Sequence, residues 1–502
     1  MKRASTSFAT GAISITFLIF AVVALFRSSL YHSSLIVGND FFWHLEYGKY
    51  FLSHHALPEG DWLTWTSANQ PYQITQWLGE LLLSIPAHWG GSQFLSITVA
   101  AIGCLTLFFS WRTAAIFLEN SVLALCVALF TLLPVLTLNA RPQLFGFTAF
   151  AALVWVMAEW FAGKKRWALF AMPTIMVFWV NAHGSFIVGV AYIAALGGGA
   201  WLSTFAEMRW RFFDSVRVHL PLAVASFGAL FAALINPYGW RVFESVLMIS
   251  NLQTTRSGVI SEWLATSMTT MHGEIFFSIF FCVLFALAMA KNRPDGKTIL
   301  GFIGTAYFGL SADRQTFFAL IAMVPFFALA LKGSAIEELF NKKCKTYAKP
   351  LQAVLVLAVG SALAWLVHYS AEKHIQNSFA ELYPVKAMAF LEKNNITGKL
   401  FNKVEYGGYI ESIGEKAFID GRLDLFGDEM VLGTMNALAG KPGWDLFLAK
   451  YNPEIFILDN SDPLKELLQL KSACKPIYSD NFHAVIQCPF LPGTNTLAVR
   501  NE

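Results

Sequence analysis

Long apolar runs separated by short polar turns fill the chain to about residue 370, after which short alternating runs take over. A hydrocarbon core about 30 Å thick needs roughly 20 apolar residues per helix, fewer where a helix ends inside protein. By that measure the pattern predicts about eleven spans, at 11–31, 93–111, 119–137, 143–162, 167–180, 185–203, 218–235, 274–290, 298–312, 315–332 and 350–369. From 371 to 502 the β-like runs KLFN (399–402), KAFID (416–420), EIFILD (454–459), KPIYS (475–479) and HAVIQC (483–488) alternate with helical patterns near 384–395, 444–450 and 462–472. The expected fold class is an α-helical polytopic membrane protein with a small C-terminal α/β domain. Residues 1–370 form the transmembrane domain, with a long outer loop over 32–92. Residues 371–502 form a tail domain large enough to bury its own core.

Composition agrees with that pattern. Hydrophobic residues make up 56% of the chain and charged residues 14%, against about a quarter charged in water-soluble globules. The opening Met1-Lys2-Arg3 followed by an apolar run has no small-x-small site before Arg27, so it reads as a signal anchor. Basic residues gather on alternate turns, at Arg112, at Lys164 to Arg166, at Arg209 and Arg211, at Lys291 and Arg293, and from Lys342 to Lys349. The positive-inside rule then puts the N-terminus in the cytoplasm, and the loop at 32–92 and the tail domain on the periplasmic side of a bacterial inner membrane. The net charge of +3 is an orientation signal, and with no basic stripe interleaved with aromatics, nucleic acid is not expected as a partner. Cys474 and Cys488 fall on the outer side, where a disulfide and two separate thiols both remain open.

The unusual polar residues collect at the outer ends of the spans. Asp40 and His44 lie four apart, on one face of a helix, beside Trp43 and Tyr47. Glu80 sits in a short apolar element near 75–89, expected to be an interfacial or re-entrant helix. NARPQ supplies Arg141, WVNAHGSF supplies Asn181 and His183, NPYGWR supplies Asn236, Tyr238 and Arg241, SEW supplies Glu262, and SADRQ supplies Asp313 and Arg314. A transporter would carry such groups near the midplane. Here they lie at one interface, which suits a reaction between a lipid-carried phosphoester and an acceptor arriving from water. Breaking a glycosidic bond to a phosphate needs no general acid, because the leaving group is already an anion. It needs a base for the acceptor hydroxyl and cations for the departing phosphate. Asp40 is the first choice of base, with His44 and Glu80 as further catalytic candidates. Arg141 and Arg314 are suited to clamp phosphate, and Asn181, His183, Tyr238 and Glu262 to line the substrate.

Each candidate also has a structural reading. Asp40 is a good N-cap for a helix starting at Phe41; Asn181 and His183 satisfy a tight turn; NPYG is a β-turn composition; a single arginine at a helix end is commonly an interfacial anchor. Asp40, His44 and Glu80 offer ligands for a divalent metal, but no HExxH, CxxC or EF-hand spacing is present, and the metal set is left unknown. No glycine-rich phosphate loop or dinucleotide fingerprint appears.

The runs DFFWHLEYG, LPEGDWLTWT, QWLGELL, NARPQLF, WVNAHGSFIVG, NPYG, SEW and GKLFNKVEYGGYI…KAFIDGRLDLFG together resemble a bacterial group of multi-span proteins similar to the GT-C-type membrane glycosyltransferases. The resemblance covers most of the chain. It implies many membrane helices, a long first outer loop bearing an essential acid, to which Asp40 corresponds, and a polyprenyl-phosphate-linked sugar as donor, with a glycan or lipid as acceptor. The paired acidic motif of many GT-C enzymes is absent, since Asp40 is followed by Phe41 and Phe42. FIDGRLD has no counterpart role in that family, and its alternating Asp420, Arg422 and Asp424 read as a structural ion pair. The rival functions are a lipid or polysaccharide transporter and a non-catalytic envelope assembly factor.

Overall fold

The computed structural model describes residues 38–132, 140–164, 166–208, 212–256, 261–342 and 379–488. These fall into two compact units. The first takes its described residues from 75–244 and 261–342, the second from 38–74, 245–256 and 379–488.

The chain opens with α1 (Phe41–His54), which belongs to the second unit. It continues through α2 (Trp77–Phe117), α3 (Ser121–Leu132), α4 (Gln143–Phe161), α5 (Ala171–Ala182), α6 (Phe186–Glu207), α7 (Phe212–Ala232), α8 (Arg241–Asn251), α9 (Met271–Ala288), α10 (Gly296–Ser311) and α11 (Thr316–Leu331). Each expected span from 93–111 to 315–332 coincides with one of the apolar helices. Those at 11–31 and 350–369, and the end of 119–137, lie outside the described residues. Among the described residues three helices are long and apolar enough to cross a membrane, Gln143–Phe161, Phe186–Glu207 and Asp313–Leu331. The others are shorter, and a 12-residue helix such as α5 rises only about 18 Å.

Burial explains why α4 is apolar on every side. It packs against α2, α5 and α11, and 78% of its apolar window is enclosed, against 22% for α6. An all-round apolar helix belongs at the centre of a bundle; one with a free apolar face suits lipid contact. α9, α10 and α11 share a second core built on Phe276, Ile279, Val283, Phe302, Leu320 and Met323.

The element expected near 75–89 is a helix distinct from the following span. The two halves of α2 meet at Gly90 and Gly91, both out of helical conformation, where Gly91 takes φ +61° and ψ −152°. Backbone in that region is open essentially to glycine alone.

In the second unit α12 (Val385–Lys393), β1 (Leu400–Phe401), α13 (Val404–Ser412), α14 (Leu423–Leu438), α15 (Trp444–Tyr451), β2 (Ile455–Asp459), α16 (Pro463–Gln469), β3 (Lys475–Ser479) and β4 (His483–Gln487) follow in order. The sheet order is β1-β2-β4-β3, with β1 parallel to β2 and the remaining pairs antiparallel. Side chains alternate across it as a strand requires. Phe401, Phe456, Leu458 and Ile486 enter one apolar cluster; Leu400, Ile455, Ile457 and Val485 enter another on the opposite face. KAFID, expected as a strand, contributes only a single bridge between Ala417 and Thr64. Cys474 and Cys488 form a disulfide.

Candidate functional site

Seven of the nine sequence candidates lie in the first unit and Asp40 and His44 in the second; each group is described in its own unit.

In the first unit the start of α2, the turn before α4 and the end of α5 meet at Gly79. A Cβ there would collide with the Ala182 carbonyl and lie 2.8 Å from Pro142 Cβ. Trp77, one turn from Glu80, donates its indole N–H to Asn181 Oδ1 at 2.8 Å. Asn181 Nδ2 donates in turn to the carbonyls of Val177 and Ile235, each at 2.8 Å. This buried amide ties α2, α5 and the turn after α7, where a tight turn beside it was the structural role expected. Glu80 occupies the first turn of α2, where the helix dipole favours negative charge, and is fully buried.

His183 lies in the connection between α5 and α6. Its Nδ1 receives the Ser185 backbone N–H at 3.0 Å and lies 2.8 Å from Ser185 Oγ, which itself accepts from Trp179 Nε1. An accepting Nδ1 leaves the proton of the neutral ring on Nε2. Burial, with the Arg314 and Arg141 charges adding to it, pushes the imidazole down to about 3. At neutral pH His183 thus offers an N–H donor and no positive charge.

Two short 3₁₀ turns, Ser261–Trp263 and Asp313–Gln315, are laced together by Asp313 N–H donating to Leu264 O at 2.8 Å. They bring Glu262 to 3.2 Å from Arg141 Nη1 and set the Arg314 guanidinium 4.4 Å above the Trp263 ring. His272 Nδ1 lies 3.9 Å from Asp313. Partly exposed ion pairs like Arg141–Glu262 contribute under about 1 kcal/mol. Trp263 and His272 were not singled out by sequence; the only signal for Trp263 was its place beside Glu262 in SEW.

Tyr238 hangs from the turn that its composition announced. Asn236 Oδ1 accepts the Tyr238 N–H at 2.8 Å, Asn236 Nδ2 donates to Ala233 and Gly239 carbonyls, and Gly239 takes φ +54°.

In the second unit Asp40 stands at the N-cap position of α1, yet its side chain makes no capping bond. Its Oδ1 receives Trp43 Nε1 at 3.4 Å. His44 is 4% exposed, its ring 3.6 Å from that of Trp43. Further along the same face, Tyr47 receives Arg422 Nη1 on its hydroxyl at 2.6 Å. Arg422 is the centre of a buried network. Nη1 also bonds Asp61 Oδ1 at 2.6 Å, Nε bonds both oxygens of Asp420 at 3.0 and 2.9 Å, Nη2 bonds Asp420 Oδ2, and Glu411 Oε1 lies 3.7 Å from Nη2. Burial, reinforced by Asp420, holds the Glu411 carboxyl well above its ordinary range, outweighing the pull of Arg422. Asp420 and Arg422 are the ion pair read from FIDGRLD; Asp61 and Glu411 as its other members carried no local sequence signal.

Among the described residues no group of three or more His, Cys, Asp or Glu side chains is arranged to hold a metal ion. Asp40, His44 and Glu80, the set offered by sequence, are divided between the two units.

No family model matches the sequence, and no curated protein matches it either. Solved structures do. The Archaeoglobus fulgidus oligosaccharyltransferase tethered with an acceptor peptide containing the NVT sequon is similar over 88% of this chain and 69% of its own, at 13% identity and a TM-score of 0.52. ArnT from Cupriavidus metallidurans in the apo state is similar over 96% of this chain and 98% of its own, at 13% identity and a TM-score of 0.51. The same protein bound to undecaprenyl phosphate gives 94% and 97%, 14% identity and a TM-score of 0.46. At such identities the likeness is one of fold, and it agrees with the resemblance carried by the loop and tail motifs. The chain shares its fold with the Archaeoglobus fulgidus oligosaccharyltransferase and with ArnT from Cupriavidus metallidurans.

Proposed function

We propose that this protein is a glycosyltransferase that moves a sugar from a polyprenyl-phosphate-linked donor to a glycan or lipid acceptor of the cell envelope, on the periplasmic face of the inner membrane. The observation that carries the reading is the pair of laced 3₁₀ turns that hold Arg141 against Glu262 and Arg314 over Trp263, on a fold shared with an oligosaccharyltransferase. Arg141 leaves Glu262 for the donor phosphate, Arg314 presents its fork beside it, and Trp263, held under Arg314, offers an apolar face to the sugar. In the step itself the bond from the anomeric carbon to the phosphate oxygen breaks, and its electron pair stays on the phosphate. The acceptor oxygen bonds that carbon, and its proton passes to a carboxylate base, for which Asp40 is the candidate that the sequence offers. With no ligand set for a metal among the described residues, no step is routed through one. The Cys474–Cys488 disulfide favours an oxidising compartment for the second unit, in keeping with the basic-residue bias that puts it outside.

The test is transfer by the purified full chain in lipid nanodiscs, given undecaprenyl-phosphate hexoses with a radiolabelled sugar and an envelope lipid extract, with and without EDTA. The comparison with EDTA decides whether a divalent metal takes part. Asp40→Asn should lower kcat by about 10²-fold or more, and Arg314→Ala should weaken donor binding by roughly tenfold, the worth of one charge-assisted bond. Wild-type protein that inserts normally and turns over none of the donors would overturn the reading.

A further inference from the structure

The motif Asp420-Gly421-Arg422 is not accounted for by the transfer chemistry, yet it is among the most buried polar stretches of the second unit, with Asp420 0% and Arg422 1% exposed. An ion pair closed among buried residues is weak evidence for a stabilising role, because desolvation offsets most of its attraction. Its geometry is more informative. Arg422 reaches two points of the loop that follows the first expected span, Tyr47 on α1 and Asp61 beyond it. Asp61 in turn accepts the N–H groups of Leu63 and Thr64, and Thr64 bridges Ala417. The α1 residues Trp43 and Tyr47, with Asp40 before them, recur at the spacing of one helix face, and that face meets residues 420–422.

The glycine has its own constraint. A Cβ on Gly421 would collide with Asp40 Oδ1 and lie 3.4 Å from Trp43 Nε1. Close by, a Cβ on Gly408 would fall 2.8 Å from the Asn39 carbonyl and 3.4 Å from the Trp43 N–H. An ion pair serving stability alone has no need of a glycine between its partners, nor of ending against an aspartate that caps nothing.

We propose that Asp420-Gly421-Arg422 is a positioning element for the Asp40 carboxylate. Arg422 pins α1 at Tyr47, Gly421 clears the space the carboxylate occupies, and Trp43 fixes its rotation by donating to Oδ1. The proposal rests on the reading of Asp40 as the base of the transfer step.

Gly421→Ala tests it in the nanodisc assay. A displaced carboxylate should cost about 10²-fold in kcat, leave the donor KM within twofold, and move the acid limb of the pH–rate profile. In an Asp40→Asn background the same change should cost nothing further, since the two residues then act as one. Unchanged kcat and acid limb, or equal losses in both backgrounds, would overturn the proposal. Should Asp40→Asn itself keep full turnover, the base assignment fails, and positioning is read without activity, from the ¹⁹F resonance of 5-fluorotryptophan placed at Trp43. That resonance should follow Asp40 ionisation and shift on Gly421→Ala; a resonance indifferent to the variant sinks the positioning role. If Gly421→Ala does not fold, Tyr47→Phe carries the same comparisons. It removes only the hydroxyl that receives Arg422, and should cost about tenfold in kcat, again with no further loss beside Asp40→Asn.

Discussion

At the scale of single residues, Glu411 shows how one guanidinium is shared. Arg422 faces Asp61, Asp420 and Glu411 with hardly any solvent, and three ionised carboxylates about one cation would leave uncompensated buried charge. The molecule relieves this by holding the Glu411 carboxyl well above its ordinary range. A carboxyl whose folded value lies above its unfolded value takes up a proton on folding. Its contribution is therefore fully present below the ordinary 4.5 and is lost as pH rises toward the folded value. Glu411→Gln keeps the shape and removes the titration. It should raise the thermal midpoint at neutral pH, by a margin that shrinks as the buffer is taken below pH 4.5; an equal margin at all pH values would show that Glu411 is ionised in the folded protein. Little of this was legible beforehand. The bond from Arg422 to Asp61 spans 361 positions and that to Tyr47 spans 375, so no local pattern joins them. Asp40, Arg141 and Arg314 stood out because each is a costly residue beside an apolar run.

Among the elements, α2 keeps the two apolar stretches of the sequence as two helical halves, parted at Gly90 and Gly91. Two apolar stretches were visible, but the geometry of Gly90 and Gly91 between them was not, since paired glycines serve equally as a loop. No atom comes within 4 Å of a Cβ built on Gly91, so the cost of Gly91→Ala is that of the backbone alone. The expected loss is on the order of 1–3 kcal/mol, measured as a lowered unfolding midpoint in detergent; a neutral outcome would mean that the break accepts another conformation. Strands β2, β3 and β4 were legible because β-branched and aromatic residues cluster between turn formers. The helices α13 and α14 were missed for the reason that makes them useful. VEYGGY carries two glycines that weaken a helix, but Gly407 lets α13 pack directly on the Ile419 carbonyl. α14 is interrupted by Gly427 at φ +68°. KAFID reads as a strand by composition, yet its backbone meets only one short partner at Thr64.

For the molecule as a whole, alternation between long apolar runs and a shorter-period tail sufficed to separate the apolar helices from the strands of the tail. It did not reveal that residues 38–74 and 245–256 join the tail residues in one compact unit. That arrangement depends on pairings such as Phe42 among the rings of Phe379, Tyr383 and Tyr409, and Gln253 and Thr254 donating to Asp428. Within this unit the Cys474–Cys488 bond closes a separation of 14 residues. Cys474→Ser should lower its stability by about 3 kcal/mol, read as earlier proteolysis of the 379–488 region on warming; no change would mean that the pairing constrains nothing in the unfolded chain. The interleaving also dictates an order of events during biosynthesis. Tyr47 and Asp61 leave the ribosome 375 and 361 codons ahead of Arg422. The early segment must wait with its aromatic side uncovered, so maturation of this unit follows synthesis of the tail residues, and the nascent loop is the stage at which a chaperone has something to hold.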